Sequence, residues 1–246
     1  MVGCSTGATA PASKWKHTDT PAKKGQHAST FTWGGSHLNY LLFLPQGYRE
    51  DPQQQWPLIL FLHGMGERGN DLEALELVKK HGPPMLVEQQ KDFPFIVISP
   101  QCPSRSSWNS QLDILDALLD EISTTYAVDL DRLYLTGLSM GGFGTWHFAL
   151  RYTERFAAIV PIAGGYSFVD KSIPGDICKL KDVPVWAFHG AQDKVILPIK
   201  SEVLVNALQK CGGDVRFTLY PDAKHDSWTE TYNNPELYRW LLRHTR

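Results

Sequence analysis

The sequence predicts an α/β fold in which helices cover both faces of a mostly parallel sheet of about eight strands. Short apolar runs such as residues 56–62 alternate with segments whose apolar residues recur at steps of three and four, as in residues 111–126. This alternation is typical of the strand–helix units that build a parallel sheet. Polar clusters follow several predicted strand ends, which is where the sites of such sheets lie.

Each element is predicted from its own pattern. Residues 1–27 are rich in Ser, Thr, Ala, Pro and Lys and lack periodicity, so we expect a disordered leader, followed by a single domain over residues 28–246. An antiparallel hairpin opens the domain around Gly34-Gly35-Ser36. The predicted strands are residues 28–33, 37–44, 56–62, 95–99, 133–136, 156–162, 183–188 and 215–220. Helices are predicted at residues 71–80, 111–126, 198–210 and 235–244 and directly after residue 139.

Composition excludes some function classes. The formal net charge is −2 and there is no block of basic residues, so the sequence gives no sign of a basic surface for nucleic acid. No apolar run reaches the length of a membrane span. The spacing of the four cysteines is not that of a metal site, and we expect free, mostly buried thiols. A Cys102–Cys178 bridge is the alternative in an oxidising compartment.

The compartment and the oligomeric state stay open at this stage. Met1-Val2-Gly3-Cys4 lacks the charged and apolar regions of a signal peptide. Gly3-Cys4 followed by small polar residues resembles the stub of a trimmed lipoprotein signal, which favours a secreted or lipid-anchored protein. A natural or vector-derived start is the alternative and leaves a cytoplasmic protein equally open.

One short motif points to a nucleophilic serine. Gly137-Leu138-Ser139-Met140-Gly141 fits G-x-S-x-G, with an apolar strand before it and a helical pattern after it. In that context the serine is held on a strained turn above the sheet. Glycines are needed at both ends of the motif because side chains would collide with the neighbouring strand and helix.

A serine hydroxyl needs a base, and the base needs an orienting carboxylate. In this kind of sheet the partners follow the serine in the order Asp or Glu, then His. Asp193 and His225 each follow a predicted strand and satisfy that order. The other candidates fit less well. His63 and His189 precede glycines and are expected to brace loops, and Asp222 and Asp226 flank His225 too closely to orient its ring.

Ester cleavage places negative charge on the carbonyl oxygen, so backbone N–H donors must be aimed at it beforehand. The residue after the nucleophile, Met140, is expected to supply one donor. The turn His63-Gly64-Met65 is expected to supply the other from Met65.

Six segments resemble the α/β-hydrolase superfamily, and more narrowly its dienelactone-hydrolase-like and phospholipase/carboxylesterase serine esterases, the group often labelled "predicted peptidase". They are residues 62–71 (LHGMGERGND), 100–103 (PQCP), 136–142 (TGLSMGG), 188–193 (FHGAQD), 225–228 (HDSW) and 234–242 (NPELYRWLL). The resemblance covers the chain from about residue 30 onward. It implies a catalytic triad of Ser139, Asp193 and His225 and ester hydrolysis through an acyl-enzyme. Dienelactone hydrolases proper use a cysteine nucleophile, so Ser139 departs from them and favours general esterase chemistry.

Two further groups of residues lie at the active end. Glu67, Arg68 and Asn70 follow the oxyanion turn, and we expect them to brace it rather than to touch substrate. The candidates for the wall of the substrate cleft are Trp108, Trp228 and Gln101, although loop tryptophans are also common as covers over a core.

The insertion between Ala163 and Val183 is short and leaves only a minimal cap. This favours water-soluble substrates over lipid surfaces, either short-chain acyl esters or aryl and sugar-linked esters that reach an open cleft. No metal and no organic cofactor is implied. The alternatives are a serine peptidase of the same fold and, in a different class, a non-catalytic binding protein, although such proteins typically lose a triad member.

Overall fold

A computed structural model of the protein describes residues 23–246. Its eight strands form one sheet in the order β1-β2-β4-β3-β5-β6-β7-β8. The pairs β1–β2 and β2–β4 are antiparallel, and all other neighbours are parallel. The strands are β1 (Gly25–Trp33), β2 (Ser36–Leu44), β3 (Trp56–Leu62), β4 (Ile96–Pro100), β5 (Val128–Leu138), β6 (Ala158–Ile162), β7 (Val185–Gly190) and β8 (Val215–Tyr220). The predicted α/β fold, with its antiparallel hairpin and mostly parallel sheet, is confirmed.

Six α-helices and four short 3₁₀ segments surround the sheet in this part of the chain. The helices are α1 (Gly82–Leu86), α2 (Leu112–Thr125), α3 (Met140–Arg151), α4 (Ile199–Lys210), α5 (Trp228–Asn233) and α6 (Pro235–Leu242). The 3₁₀ segments are Met65–Glu67, Ala74–Lys80, Trp108–Ser110 and Ile177–Leu180. None of the helices described in residues 23–246 is long and apolar enough to cross a membrane.

The core lies on both faces of the sheet. Successive side chains of a strand point to opposite faces, so an apolar strand such as β3 supplies both. Leu60 belongs to the cluster that also contains Trp146 of α3, whereas Phe61 belongs to the cluster that contains Trp240 of α6. Every residue of β3 is buried, which explains its continuous apolar run.

The hairpin begins earlier than predicted. Gly25 pairs with Leu44, so residues 25–27 of the predicted leader are strand, whereas residues 1–22 lie outside the described part. Pairing with β2 extends β1 towards the N-terminus, beyond residue 28, where the predicted strand begins. Gly34 and Gly35 form the turn with φ of 56° and 80°, which a two-residue hairpin of this type requires.

Two helix predictions need correction. The predicted helix at residues 71–80 is a 3₁₀ segment, Ala74–Lys80, and the short helix α1 follows it. The chain is extended at His81, which ends the first segment, and prolines occupy the first turn of α1. No helix was predicted between residues 211 and 234, but α5 occupies Trp228–Asn233.

The expectation of free, buried thiols holds for Cys102 but is wrong for Cys178 and Cys211, and the alternative Cys102–Cys178 bridge is wrong as well. Cys178 and Cys211 form a disulfide with Cα atoms 5.4 Å apart, and Cys102 is the free, buried cysteine of the described residues. Cys102 follows β4, and three strands separate β4 from β7, beside which Cys178 lies. A Cys102–Cys178 bridge is therefore excluded by the strand order. Burial raises the pKa of the Cys102 thiol to about 12.

Candidate active site

The turn between β5 and α3 holds Ser139 in the predicted strained conformation. Its φ of 52° and ψ of −116° are costly for a residue with a side chain, on the order of 1–3 kcal/mol. Gly137 and Gly141 make the turn possible. A Cβ on Gly137 would lie 2.4 Å from the carbonyl oxygen of Gly141, and one on Gly141 would lie 1.8 Å from that of Leu62. Other side chains at these positions would force the strands and the helix apart.

Ser139, His225 and Asp193 form a continuous hydrogen-bonded chain. Ser139 Oγ lies 3.0 Å from His225 Nε2, and His225 Nδ1 lies 2.7 Å from Asp193 Oδ2. The carboxylate is an acceptor, so Nδ1 carries the proton and Nε2 of the neutral ring is free to accept the serine proton. The loop positions the carboxylate through two N–H donors, from Val195 at 2.8 Å and Ile196 at 3.0 Å to Oδ1.

The alternative acid Asp226 has a different task. Its carboxylate accepts hydrogen bonds from the backbone N–H of Thr229 at 3.0 Å and from the Thr229 hydroxyl at 2.9 Å. These bonds fix the start of α5 and leave the far nitrogen of His225 to Asp193.

A second histidine contacts the same carboxylate. His189 Nε2 lies 3.2 Å from Asp193 Oδ2 and 2.9 Å from the carbonyl oxygen of Ile196. Both atoms are acceptors, so Nε2 carries a proton. Burial lowers the pKa of His189 and favours the neutral ring. Its Nδ1 lies 2.7 Å from the hydroxyl oxygen of Ser201, which donates to the carbonyl oxygen of Gly164 at 2.9 Å. The sequence pattern suggested only a loop brace for His189. It gave no signal that this histidine also touches the acid.

The two expected oxyanion donors both begin helical segments. Met65 is the first residue of the 3₁₀ segment Met65–Glu67, and Met140 is the first residue of α3. The first N–H groups of a helix lack intrahelical acceptors and are available to a ligand. Both residues line the cavity above Ser139. The Met65 side chain is largely exposed and that of Met140 is buried, so their shared feature is the backbone.

Buried hydrogen bonds fix the oxyanion turn from behind. His63 Nδ1 donates to the carbonyl oxygen of Gly64 at 2.5 Å, and His63 Nε2 accepts from the backbone N–H of Cys102 at 2.9 Å. Trp108 Nε1 donates to the carbonyl oxygen of His63 at 2.9 Å. The predicted bracing role of His63 is confirmed. The prediction that Trp108 lines the cleft was wrong, because Trp108 has no exposed surface and packs beneath Gly144 of α3.

Gln101 also braces this loop rather than lining the cleft. Its Nε2 donates to the carbonyl oxygens of Glu67 at 2.9 Å and Ala74 at 2.6 Å. These bonds hold the amide behind the oxyanion loop, so the prediction of a cleft position was wrong. Arg68 donates to the carbonyl oxygens of Met65 and Ser106, each at 3.1 Å.

The last two residues of the predicted brace behave differently. Asn70 exchanges two hydrogen bonds with Ser104, at 3.0 and 3.1 Å, so the brace is confirmed for Asn70 as it is for Arg68. It is wrong for Glu67, whose side chain lines the cavity that contains Ser139.

A cavity of about 330 Å³ lies above Ser139. Its volume is at the lower end of the range for small-ligand sites. Trp228 forms part of the wall, as predicted, with its ring perpendicular to that of His225 at a centroid distance of 5.0 Å. Phe168 contributes from the short insertion and stacks on Phe143 at 3.8 Å. The apolar side chains of the lining are Met65, Leu138, Met140, Phe168, Val195, Ile196 and Trp228.

The brace predicts how stability depends on pH. Burial lowers the pKa of His63 from 6.5 to about 4, so the unfolded chain binds a proton more readily than the folded one between these values. Above pH 6.5 the neutral His63 ring contributes about 3 kcal/mol to the free energy of unfolding. This contribution is lost progressively as the pH falls to about 4. Urea unfolding at a series of pH values measures this loss. The slope of unfolding free energy against pH should be smaller in His63→Asn, although His189 still contributes. A free energy that stays constant from pH 6.5 to 4.5 in the wild type would contradict the assignment.

The second histidine predicts a separable effect on catalysis. His189→Leu removes the donor to Asp193, and we expect kcat to fall about 10- to 100-fold because the acid loses its fixed position. KM for an ester should change little, since His189 does not line the cavity. His189→Gln places an amide N–H near the position of Nε2 and should restore most of kcat. Equal losses in the Leu and Gln variants, or a loss confined to KM, would exclude a positioning role.

Several known proteins are similar to this chain in sequence. The sequence model of the phospholipase/carboxylesterase family matches residues 49–234. The bifunctional acetylxylan esterase/xylanase XynS20E of Neocallimastix patriciarum is 28% identical over 145 residues, which are 57% of this chain and 20% of that protein. The poly(3-hydroxyalkanoate) depolymerase C of Paucimonas lemoignei is 31% identical over 152 residues, 56% of this chain and 34% of that protein.

Among solved structures, a thermostable esterase is similar over most of the chain. It is 34% identical with a TM-score of 0.72, and the match covers 90% of this chain and 64% of that one. The chain thus spans less than two thirds of each of these three proteins. The family match extends over more than half of the residues and includes Ser139 and its two partners. The chain belongs to the phospholipase/carboxylesterase family of α/β-hydrolases.

Proposed function

We propose that the protein is a serine carboxylesterase that hydrolyses water-soluble carboxylic esters through an acyl-enzyme on Ser139. The observation that carries this proposal is the chain of hydrogen bonds from Ser139 through His225 to Asp193, which opens into a cavity beside two helix-initial N–H groups. Acyl transfer requires a nucleophile, a base, an acid that orients the base and hydrogen-bond donors for the oxyanion.

In the proposed reaction, His225 Nε2 accepts the proton of the Ser139 hydroxyl while Oγ attacks the ester carbonyl carbon. The carbonyl oxygen becomes an oxyanion and accepts hydrogen bonds from the backbone N–H groups of Met65 and Met140, each commonly worth about 3 kcal/mol of barrier. Asp193 stabilises the imidazolium, which then protonates the departing alcohol oxygen. In the second half, His225 accepts a proton from water as the water oxygen attacks the acyl carbon. The bond from that carbon to Ser139 Oγ then breaks, the imidazolium returns the proton to Oγ, and the carboxylic acid is released.

The dimensions of the site support small substrates. The cavity of about 330 Å³ has mostly apolar walls, which favours a short acyl chain or a single ring. The insertion between β6 and β7 contributes Phe168 to the wall and one 3₁₀ segment, Ile177–Leu180, and carries no helix long enough for an interfacial lid. The names of two relatives mention esters of hydroxylated compounds, an acetylated xylan and a poly(3-hydroxyalkanoate), and this supports a search among such esters.

Kinetics with p-nitrophenyl acetate and butyrate test the proposal. We expect the wild type to hydrolyse at least one of them, and Ser139→Ala or His225→Ala to reduce kcat by at least about 10⁴-fold, because each removes a reacting group. Asp193→Asn should reduce kcat by a smaller factor of about 10³ to 10⁴, since it changes the orientation and tautomer of the imidazole.

Asp222→Asn is the matched control, because it changes a carboxyl near His225 in sequence, and it should retain wild-type turnover. A peptide amide of similar size tests for peptidase activity. An inactive Asp222→Asn beside an active Asp193→Asn would refute the acid assignment. Absence of ester turnover in the wild type across acyl lengths would refute the proposed function.

A further inference from the structure

Glu67 has a carboxyl group that nothing in the proposed reaction uses. It lies in the lining of the cavity that contains Ser139, and only 8% of the residue is exposed. Its backbone is fixed, because its carbonyl oxygen accepts from Gln101. Within the described part of the chain, its side chain has no hydrogen bond and no ion pair. The adjacent Arg68 is directed instead to the carbonyl oxygens of Met65 and Ser106.

A carboxyl in a cavity wall without a protein donor is available to accept hydrogen bonds from a ligand. Glu67 and Asp193 are the buried acidic residues of the described chain. Asp193 accepts from two backbone N–H groups and His225, and His189 also lies against it. Glu67 has no comparable set of donors. A molecule that enters the cavity can therefore donate a hydrogen bond to the Glu67 carboxyl without displacing a protein donor.

The position of the carboxyl places it near the reacting carbonyl. A Cβ built on Gly64 would lie 3.0 Å from Glu67 Oε2, so this oxygen lies over Gly64, the residue before the Met65 N–H group. A substrate whose carbonyl oxygen reaches that N–H group has its neighbouring atoms close to Glu67. His81 is the other polar side chain of the lining outside the triad. Its ring packs edge-on against Trp228 at 5.7 Å and forms no hydrogen bond within the described residues.

We infer that Glu67 binds a hydroxyl group that the ester substrate carries close to its ester bond. An ionised carboxylate only accepts hydrogen bonds, so it selects a substrate with a donor. A hydroxyl suits this cavity better than an ammonium group, because the remaining walls are apolar and desolvating a full positive charge costs more than desolvating a hydroxyl. The inference rests on the proposed esterase function and specifies its substrate class as hydroxylated esters.

Pairs of esters that differ only in the hydroxyl test the inference. Methyl 3-hydroxybutyrate against methyl 3-methylbutyrate places the hydroxyl in the acyl part, and 2-hydroxyethyl butyrate against propyl butyrate places it in the alcohol part. We expect the wild type to prefer the hydroxylated ester in at least one pair by about tenfold or more in kcat/KM. The pair that shows the preference identifies the side of the ester bond on which the hydroxyl lies.

Variants of Glu67 connect the preference to the carboxyl. Glu67→Leu should abolish or invert it, and Glu67→Gln, which keeps an acceptor oxygen without the charge, should retain part of it. The readout is the ratio of two kcat/KM values in one variant, which a general loss of activity does not change. Glu73→Leu is the matched control, because it removes an exposed carboxyl from the same region outside the cavity and should keep the wild-type ratio.

Three results would overturn the inference. The first is a wild type that hydrolyses p-nitrophenyl butyrate but shows no hydroxyl preference in either pair, which leaves the esterase function intact. The second is a preference that survives unchanged in Glu67→Leu. The third is a stronger preference for methyl 3-aminobutyrate than for its hydroxy counterpart, which would assign a cationic group to the site. Absence of p-nitrophenyl butyrate turnover in the wild type would instead refute the esterase function and this inference with it.

Discussion

The close approach of α3 to the ends of β3, β5 and β6 is the constraint on which the active end depends. Leu62 lies at the end of β3. A Cβ on Gly141 would lie only 1.8 Å from the carbonyl oxygen of Leu62. A Cβ on Gly142 would lie 2.5 Å from the carbonyl oxygen of Ile162, which also accepts from the Ser139 N–H at 2.9 Å. The turn that presents Ser139 is thus packed backbone to backbone against two strand ends. Because the oxyanion loop continues directly from Leu62, the serine and its expected oxyanion donors share one rigid support.

Neutral buried histidines stabilise this support without adding charge to it. His63 connects the oxyanion turn to the loop after β4 through one donated and one accepted hydrogen bond. His189 connects the acid loop to α4 through Ser201 and also contacts Asp193. Burial lowers the pKa of both rings, so both act as fixed dipoles at neutral pH. His225, in contrast, is partly exposed at the cavity, where the proposed reaction moves a proton.

The sequence predicted the parts of the site that follow from topology. Parallel strands end at one edge of the sheet, so Ser139, Asp193 and His225 were expected to meet there once their strands were recognised. The G-x-S-x-G spacing also predicted the strained backbone, because only glycine fits at the positions of closest approach. These inferences need strand order and backbone sterics but no knowledge of side-chain direction.

Side-chain direction on loops could not be predicted in this way. Trp108 and Gln101 follow the correct strand ends, yet both point inward and brace the oxyanion loop. Glu67 and Arg68 are adjacent in one polar loop, and only the tertiary structure separates the residue that faces the cavity from the residue that braces it. The Cys178–Cys211 bridge was missed for a similar reason, because it depends on how the end of α4 packs on a short 3₁₀ segment.

Covalent labelling tests most directly whether this support activates one serine. A fluorophosphonate reacts with a serine only where a base and an oxyanion site activate it. After labelling of the folded wild-type protein, digestion and peptide mass spectrometry, we expect one equivalent of the adduct on Ser139 and none in His225→Ala. An adduct on another residue, or no adduct in a protein that hydrolyses esters, would contradict the account.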